Sequence, residues 1–336
     1  MTVRKIVARR DEGLGARILR AVPLEYAAGA DAALDRPAHV RAGSGLAWVG
    51  GTLVAIQDDA NFVARIDPAS GHVHPVPLPA GEGGLRQFDD VRGNKRFKLD
   101  LEACTAIPDP QGGEMLLAFG SGSSSRRERV LRMAAADAPH PHVELREAIT
   151  FYARLRDAGE FSGSELNVEG AVWRGGRILL LNRGNGAATD GRQPVDATCE
   201  IDGAALLAYL DGPGAHPPPG PESILQYDLG EIEGSRLTFT DAAVFGDALV
   251  YTATAEASPN AVDDGPVAGS ALGVIGADGE ARWTELRDAD GGRFDGKVEG
   301  VARGSRPGTL YLIVDRDDPD RPSELCEVEL GGDWPG

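Results

Sequence analysis

Short apolar runs recur along the chain in pairs, each pair closed by a turn bearing Gly, Asp or Pro and followed by a polar loop. The unit begins SGLAWVGGTLVAIQDD at Ser44, LEACTAIPDPQGGEMLLAFGSG at Leu101, VEGAVWRGGRILLLNRGNG at Val168, TDAAVFGDALVYTATAEAS at Thr240 and VEGVARGSRPGTLYLIVDRDD at Val298. Paired apolar runs around tight turns are the signature of hairpins. A third strand is expected after each hairpin, at 62–67, 129–133, 204–210 or 224–229, 270–275 and 325–330. A fourth is expected at 72–78, 142–146 and 281–286. The repeat spacing of roughly sixty to seventy residues matches the four-stranded blade of a β-propeller.

The pattern predicts an all-β chain, a single β-propeller domain over 1–336 with five blades. Six blades result if 29–41 or 190–235 conceals a degenerate copy. The fifth copy runs out after its third strand, and the orphan run 16–26 (ARILRAVPLEY) supplies a partner for 325–330. Such pairing closes the ring and removes an open sheet edge. Two stretches interrupt the pattern. Residues 149–163 have helical spacing and read as a helical insertion. Residues 187–221, rich in Gly, Pro and Asp, read as a loop insertion of the third blade with a short helical piece at 204–210.

Composition changes this picture little. The chain has 336 residues, 42% of them hydrophobic, with 45 glycines and 22 prolines, which suits many strands joined by turns. A formal charge of −18 argues against nucleic acid and anionic membranes, which call for a basic face. The N-terminal MTVRKIVARRDEG has no apolar core of the secretory kind, and no apolar run is long enough for a membrane helix. A cytoplasmic monomer is expected. Cys104, Cys199 and Cys326 are widely spaced and form no metal or disulfide motif.

The candidate chemistry follows from the repeat. Aligned on the start of the first strand, the copies place Ser44, Glu102, Glu169, Asp241 and Glu299 at one position. The first strand of a blade is innermost, so these side chains should converge on the axis. Several carboxylates buried side by side need neutralising. A hard divalent cation does this, Ca²⁺ or alternatively Mg²⁺, since both take oxygen ligands. Hydrogen bonds to backbone amides of the next blade would satisfy the same acids without an ion.

The second strand runs antiparallel to the first, so its end lies on the same face. That face collects Asp58, Asp59, Arg126, Arg183, Asn185, Glu256, Asp315 and Arg316, with Lys98 four residues before Glu102. Lys98, Arg126, Arg183, Asn185 and Arg316 are candidates to hold a small anionic molecule. Asp58, Asp59 or Glu256 is the candidate general base, and Arg183 would stabilise developing charge. An inter-blade ion pair is the competing role for Arg183. Other motifs fail: GGRFDGKV lacks the Ser/Thr and helix of a phosphate loop, and His72/His74 and His140/His142 fall on outer strands.

Three runs, LNVEGAVWRGGRILLLNRGNG, FTDAAVFGDALVYTATAEASPNAVDDGPVAGSALGVI and KVEGVA followed by LYLIVDRDD, resemble a bacterial family of uncharacterised cytoplasmic propeller proteins over nearly the whole chain. More distantly, Ser44 in GSGLAWV, Glu102 in LEACTAI, Glu169 in VEGAVW and Glu299 in VEGVAR are similar to the inner series of the calcium-activated nucleotidases (apyrases). That resemblance implies five blades and a tunnel Ca²⁺, and it implies a serine where Asp241 stands. Gluconolactonase and phytase-like propellers share the general look without mapping residue by residue. The function expected is metal-dependent hydrolysis of a small phosphate-containing substrate. A lactonase or esterase, and a non-enzymatic binding propeller with a structural cation, are the alternatives.

Overall fold

Val49 and Thr52 are joined by Gly50 and Gly51, with φ of 57° and 80°, and Arg174 and Arg177 by Gly175 and Gly176, with φ of 57° and 85°. A two-residue hairpin turn whose twist matches its strands needs positive φ at both positions, which glycine adopts without strain. These turns begin blades of a ring that the computed structural model describes over residues 3–212, 214–256 and 266–335.

The ring has five blades. Their innermost strands are Gly43–Val49, Leu101–Pro108, Val168–Arg174, Ser235–Phe245 and Lys297–Arg303, for blades I to V in order. Each pairs antiparallel with the strand that follows it, and the blades continue outward to a fourth strand. The core is divided into five seams, one between each pair of adjacent blades. Val54 and Ile56 of blade I pack with Leu116 and Ala118 of blade II, for example. The last seam joins Tyr311 and Ile313 of blade V to Leu46 and Ala55 of blade I.

Blade V closes as the orphan run predicted. Leu14–Pro23 pairs antiparallel with Glu324–Gly332 and forms the fourth strand. The N-terminal segment does more than this. Arg4–Val7 adds a parallel strand to the outer edge of blade III, Arg9–Arg10 to blade IV, and Glu25–Tyr26 to blade I. One segment therefore runs like a belt around four blades.

Blade III corrects the reading of 187–221 as a loop insertion. Asp196–Asp202 within it is the blade's third strand, Gly203–Asp211 is a helix, and Glu222–Asp228 is the fourth strand. The strand escaped notice because DATCEID mixes acids with its apolar positions. Asp196 is nevertheless buried, as are Ala197, Thr198, Cys199 and Ile201. Residues 149–163 hold the helices Ile149–Asp157 and Gly159–Ser162, which fill the seam between blades II and III with Phe151, Tyr152, Leu155 and Phe161. All three cysteines are buried and free. No helix among the described residues is long and apolar enough to cross a membrane.

The belt generates a prediction. Deleting residues 1–26 removes the fourth strand of blade V and should abolish cooperative melting in scanning calorimetry. Deleting only residues 1–11 should leave a single transition at a lower temperature. Ile18→Ala, which hollows the seam between blades IV and V, should cost about 2–5 kcal/mol in denaturant unfolding.

Candidate functional site

Pairing slips by one residue near the start of every innermost strand. Partners change register between Gly43 and Gly45, between Leu101 and Ala103, between Val168 and Gly170, between Phe239 and Asp241, and between Val298 and Gly300. The residue skipped is Ser44, Glu102, Glu169, Thr240 and Glu299 in turn. A bulge of this kind re-aims a side chain and ends regular pairing. It places Ser44 and the three glutamates on the lining of one small polar cavity, of about 50 Å³, at the mouth of the tunnel.

The register also corrects the alignment of Asp241. The fourth bulged residue is Thr240, whose hydroxyl donates to Thr252 Oγ1 at 2.9 Å. Asp241 occupies the position of Gly45, Gly170 and Gly300, where inner strands approach closely. Its Oδ1 accepts from the amide of Ala242 at 2.8 Å and its Oδ2 from that of Val301, in the next blade, at 2.9 Å. It fastens blade IV to blade V and does not line the cavity. Ser44 likewise donates its hydroxyl to Leu101 O, from blade I to blade II, at 2.5 Å.

The glutamates do not stand alone. Two positions before each bulged glutamate stands a polar residue that lines the same cavity: Asp100, Asn167 and Lys297. Lys98, two residues further back, lies 2.6 Å from both Asp58 and Asp100. Arg127 reaches the other oxygen of Asp100 at 2.9 Å. Asn167 donates to Glu169 at 2.7 Å and to Asn185 at 3.3 Å. Lys297 lies 3.0 Å from Glu299. Arg183 meets Glu256 at 2.6 Å and Glu169 at 3.5 Å, and its Nε donates to Thr238.

Six carboxyl groups and four cationic side chains thus line one cavity, two more acids than bases. Some acceptors remain open. No hydrogen bond or ion pair reaches Glu102 among the described residues, and Glu299, only 8% exposed, has Oε2 buried without a donor. Burial, with Asp58 and Asp100 nearby, pushes the Glu102 carboxyl well above its usual range. Burial lifts Glu169 to about 8 against the pull of Arg183. Burial also lifts Asp58 to about 7, opposed by Lys98. Asp100 moves the other way: burial would raise it, but Lys98 and Arg127 together hold it below the usual carboxylate range. Asp58, Asp100 and Glu102 each offer an oxygen within 4.8 Å of the others, the spacing of cation ligands.

The remaining candidates divide. Asn185 lines the cavity and Asp59 a second one beside it, where Asp59 pairs with the buried Arg41 at 2.5 Å. Glu256 is held by Arg183. Arg126 lies over the Phe97 ring, 4.8 Å from its centre, and its neighbour Arg127 takes the inward place. Arg316 pairs with Glu324 of its own blade. Of the second-strand ends, residues 257–260 lie outside those described. Asp100, Arg127, Asn167 and Lys297 were not singled out from sequence, although the two-residue spacing from the bulged glutamates would have found three of them.

The pattern of one protein family matches residues 39–330, from the approach to blade I through the third strand of blade V. The chain belongs to DUF6929, a family of unknown function. No curated protein sequence matches it. Among solved structures, this DUF6929 chain is similar to the glutaminyl cyclase of Myxococcus xanthus, at 12% identity over 99% of this chain and 100% of that one, with a TM-score of 0.43. It is similar to the α-L-arabinanase of Penicillium chrysogenum, at 10% identity over 84% and 80%, with a TM-score of 0.40. A Synechocystis apocarotenoid oxygenase mutant is similar at 11% identity and a TM-score of 0.32, and the match spans 60% of that protein.

Two outcomes follow for a DUF6929 member built this way. Arg183→Met leaves Glu256 and Glu169 buried without their guanidinium and should cost about 3–5 kcal/mol in denaturant unfolding. Arg126→Ala, at the surface, should change stability by about 0.5 kcal/mol or less. Second, raised carboxyls bind protons more readily in the folded state, so their stabilising protonated form is lost as pH rises through the folded values. Burial also raises Asp196, to about 6, against the bonds it accepts from Phe239 and Gly184. Stability should therefore rise as pH falls from about 8 to about 6, read as the denaturant midpoint in chelator.

Proposed function

We propose that the tunnel mouth is a divalent-cation centre, and that a small carboxylic ester or lactone is hydrolysed in the cavity beside it. The observation that carries this reading is a cavity with two carboxyl groups in excess, in which Glu299 Oε2 is buried without a donor and Glu102 stands with Asp58 and Asp100 at the spacing of cation ligands. Glu102, Glu169 and Glu299 are the protein ligands in this reading, and Ca²⁺ suits an all-oxygen set better than zinc does. The ion would polarise a substrate oxygen and acidify water.

Asp58 is the general base. It stands where the two cavities meet, and burial keeps its affinity for a proton near neutrality. The Lys98 ammonium, 2.6 Å from it, favours its charged form against burial. The ester reading is favoured over the phosphate one by the state of the cations. Lys98, Arg127 and Arg183 each already face a carboxylate, so a phosphate would have to displace buried partners. A purely structural ion, in a propeller that only binds ligands, remains the second reading, favoured by the same complete pairing.

Chelator should lower the melting temperature, and added Ca²⁺ should restore it by mass action. Aryl esters and lactones should be turned over with Ca²⁺ and not with chelator, and Asp58→Asn should lower the rate about a hundredfold or more. Melting indifferent to Ca²⁺ in a metal-free preparation would remove the cation centre. An ion without turnover would leave the binding propeller.

A further inference from the structure

The belt leaves one blade out. Its strands lie along the outer edges of blades I, III and IV and make the fourth strand of blade V. In blade II the outermost strand, His142–Glu147, pairs with Arg129–Ala134 on its inner side. No strand pairs with its outer side among the described residues. The strand, HVELRE, holds no proline to blunt that edge, and its four middle residues are half-buried. An unpaired edge is a template for a further strand.

The ladder fixes which groups the edge offers. The register of the pair carries on to Ala148 opposite Glu128, and the Ala148 amide donates to Glu128 O at 2.9 Å. Bonded and unbonded positions alternate along an antiparallel pair. The even-numbered residues therefore turn their N–H and C=O inward, and Val143, Leu145 and Glu147 present theirs to the open edge. Side chains alternate as well. Val143 and Leu145 pack against the seam between blades I and II, and Glu144 and Arg146 lie on the other face.

We propose that this edge binds the same edge of a second copy, antiparallel, about a two-fold axis through Leu145. Such an axis must pass through a residue, because directly opposed side chains share a face. The two Leu145 residues then form one bonded pair, and Val143 of each copy bonds with Glu147 of the other, about six main-chain hydrogen bonds in all. Glu144 of each copy stands opposite Arg146 of the other, in unbonded pairs, where side chains come closest. Moving the axis by one residue would oppose Glu144 to Glu144 or Arg146 to Arg146, so charge selects the register. Within one chain Glu144 already meets Arg132 and Arg146, so the exchange adds specificity more than affinity. The contact is isologous and closes at two copies. Its narrowness puts it in the weak class of interfaces. A weak dimer replaces the monomer expected from sequence, and it involves neither the tunnel mouth nor the belt.

Sedimentation equilibrium on the full chain tests this, in about 150 mM salt, where repulsion between two copies of charge −18 is screened beyond about 8 Å. From about 5 to about 500 μM the average mass should rise reversibly toward twice that of one chain, with a midpoint of about 10–100 μM. Leu145→Pro removes an outward amide and no bond within the blade, and should weaken association about tenfold or more. Glu144→Arg and Arg146→Glu should each be monomeric alone, because like charges then face across the axis. Mixed in equal amounts, they should form a heterodimer. The mixing experiment decides the matter even if Leu145→Pro does not fold. A parent chain of unchanging mass overturns the proposal. So does a parent-like dimer of Leu145→Pro or of either charge variant alone, or a mixture that stays monomeric while the parent dimerises.

Discussion

A bulge in each innermost strand turns one side chain out of the regular pleat, and strands set around one axis bring four of the five, Ser44, Glu102, Glu169 and Glu299, to the lining of one cavity. The rest of the tunnel mouth depends on this repeated irregularity. Without it, Glu102, Glu169 and Glu299 would keep the alternation of their strands and point into seams between blades, where no water or counter-ion could reach them. With it, the next residue falls where adjacent inner strands nearly touch. A Cβ at Gly300 would lie 2.8 Å from Gly45 Cα, and one at Gly170 would lie 3.2 Å from Asp241 Cα. In blades I, III and V the bulge and the glycine after it are therefore one device, in which close approach of the blades accompanies convergence of the acids.

Convergence creates an electrostatic problem that the chain solves largely by itself. Charged groups removed from water are costly unless opposed at short range. Lys98, Arg127, Arg183 and Lys297 supply that opposition, each within 3.0 Å of a carboxylate. Asp196 and Asp241 are satisfied differently, by amides of the adjoining blade or loop. The acids of this propeller accordingly have two roles. Some hold blades together and are saturated with donors. Others face the cavity with their demands only partly met, and chemistry is to be sought among these.

The blades were legible in the sequence because each hairpin joins apolar runs with a turn of definite stereochemistry. Closure was legible because a ring cannot leave one blade with three strands. The site was legible only in part. A bulge leaves no mark in composition, so the alignment in blade IV fell on Asp241, the nearest acid, one residue beyond Thr240. Side chains next to one another in sequence can face opposite ways, which is why Arg126 drew attention and Arg127 faces inward. Asp196–Asp202 escaped because its acidic positions are satisfied by partners distant in the chain, such as Phe239, which no local pattern reveals.

The belt of residues 4–26 also bears on how the molecule comes into being. Arg17 and Glu329, which meet across the closing strand, are 312 positions apart, so one of the earliest strands made must wait for the last. During synthesis Leu14–Pro23 has no edge to join until Glu324–Gly332 is made, and blades I to IV can assemble against one another before it docks. Closure is then a late event, and until it happens blade V presents a bare edge able to recruit a strand from another molecule. A cell making this protein at high rate would meet its greatest risk of entanglement between nascent copies at that moment, long after most of the ring is built.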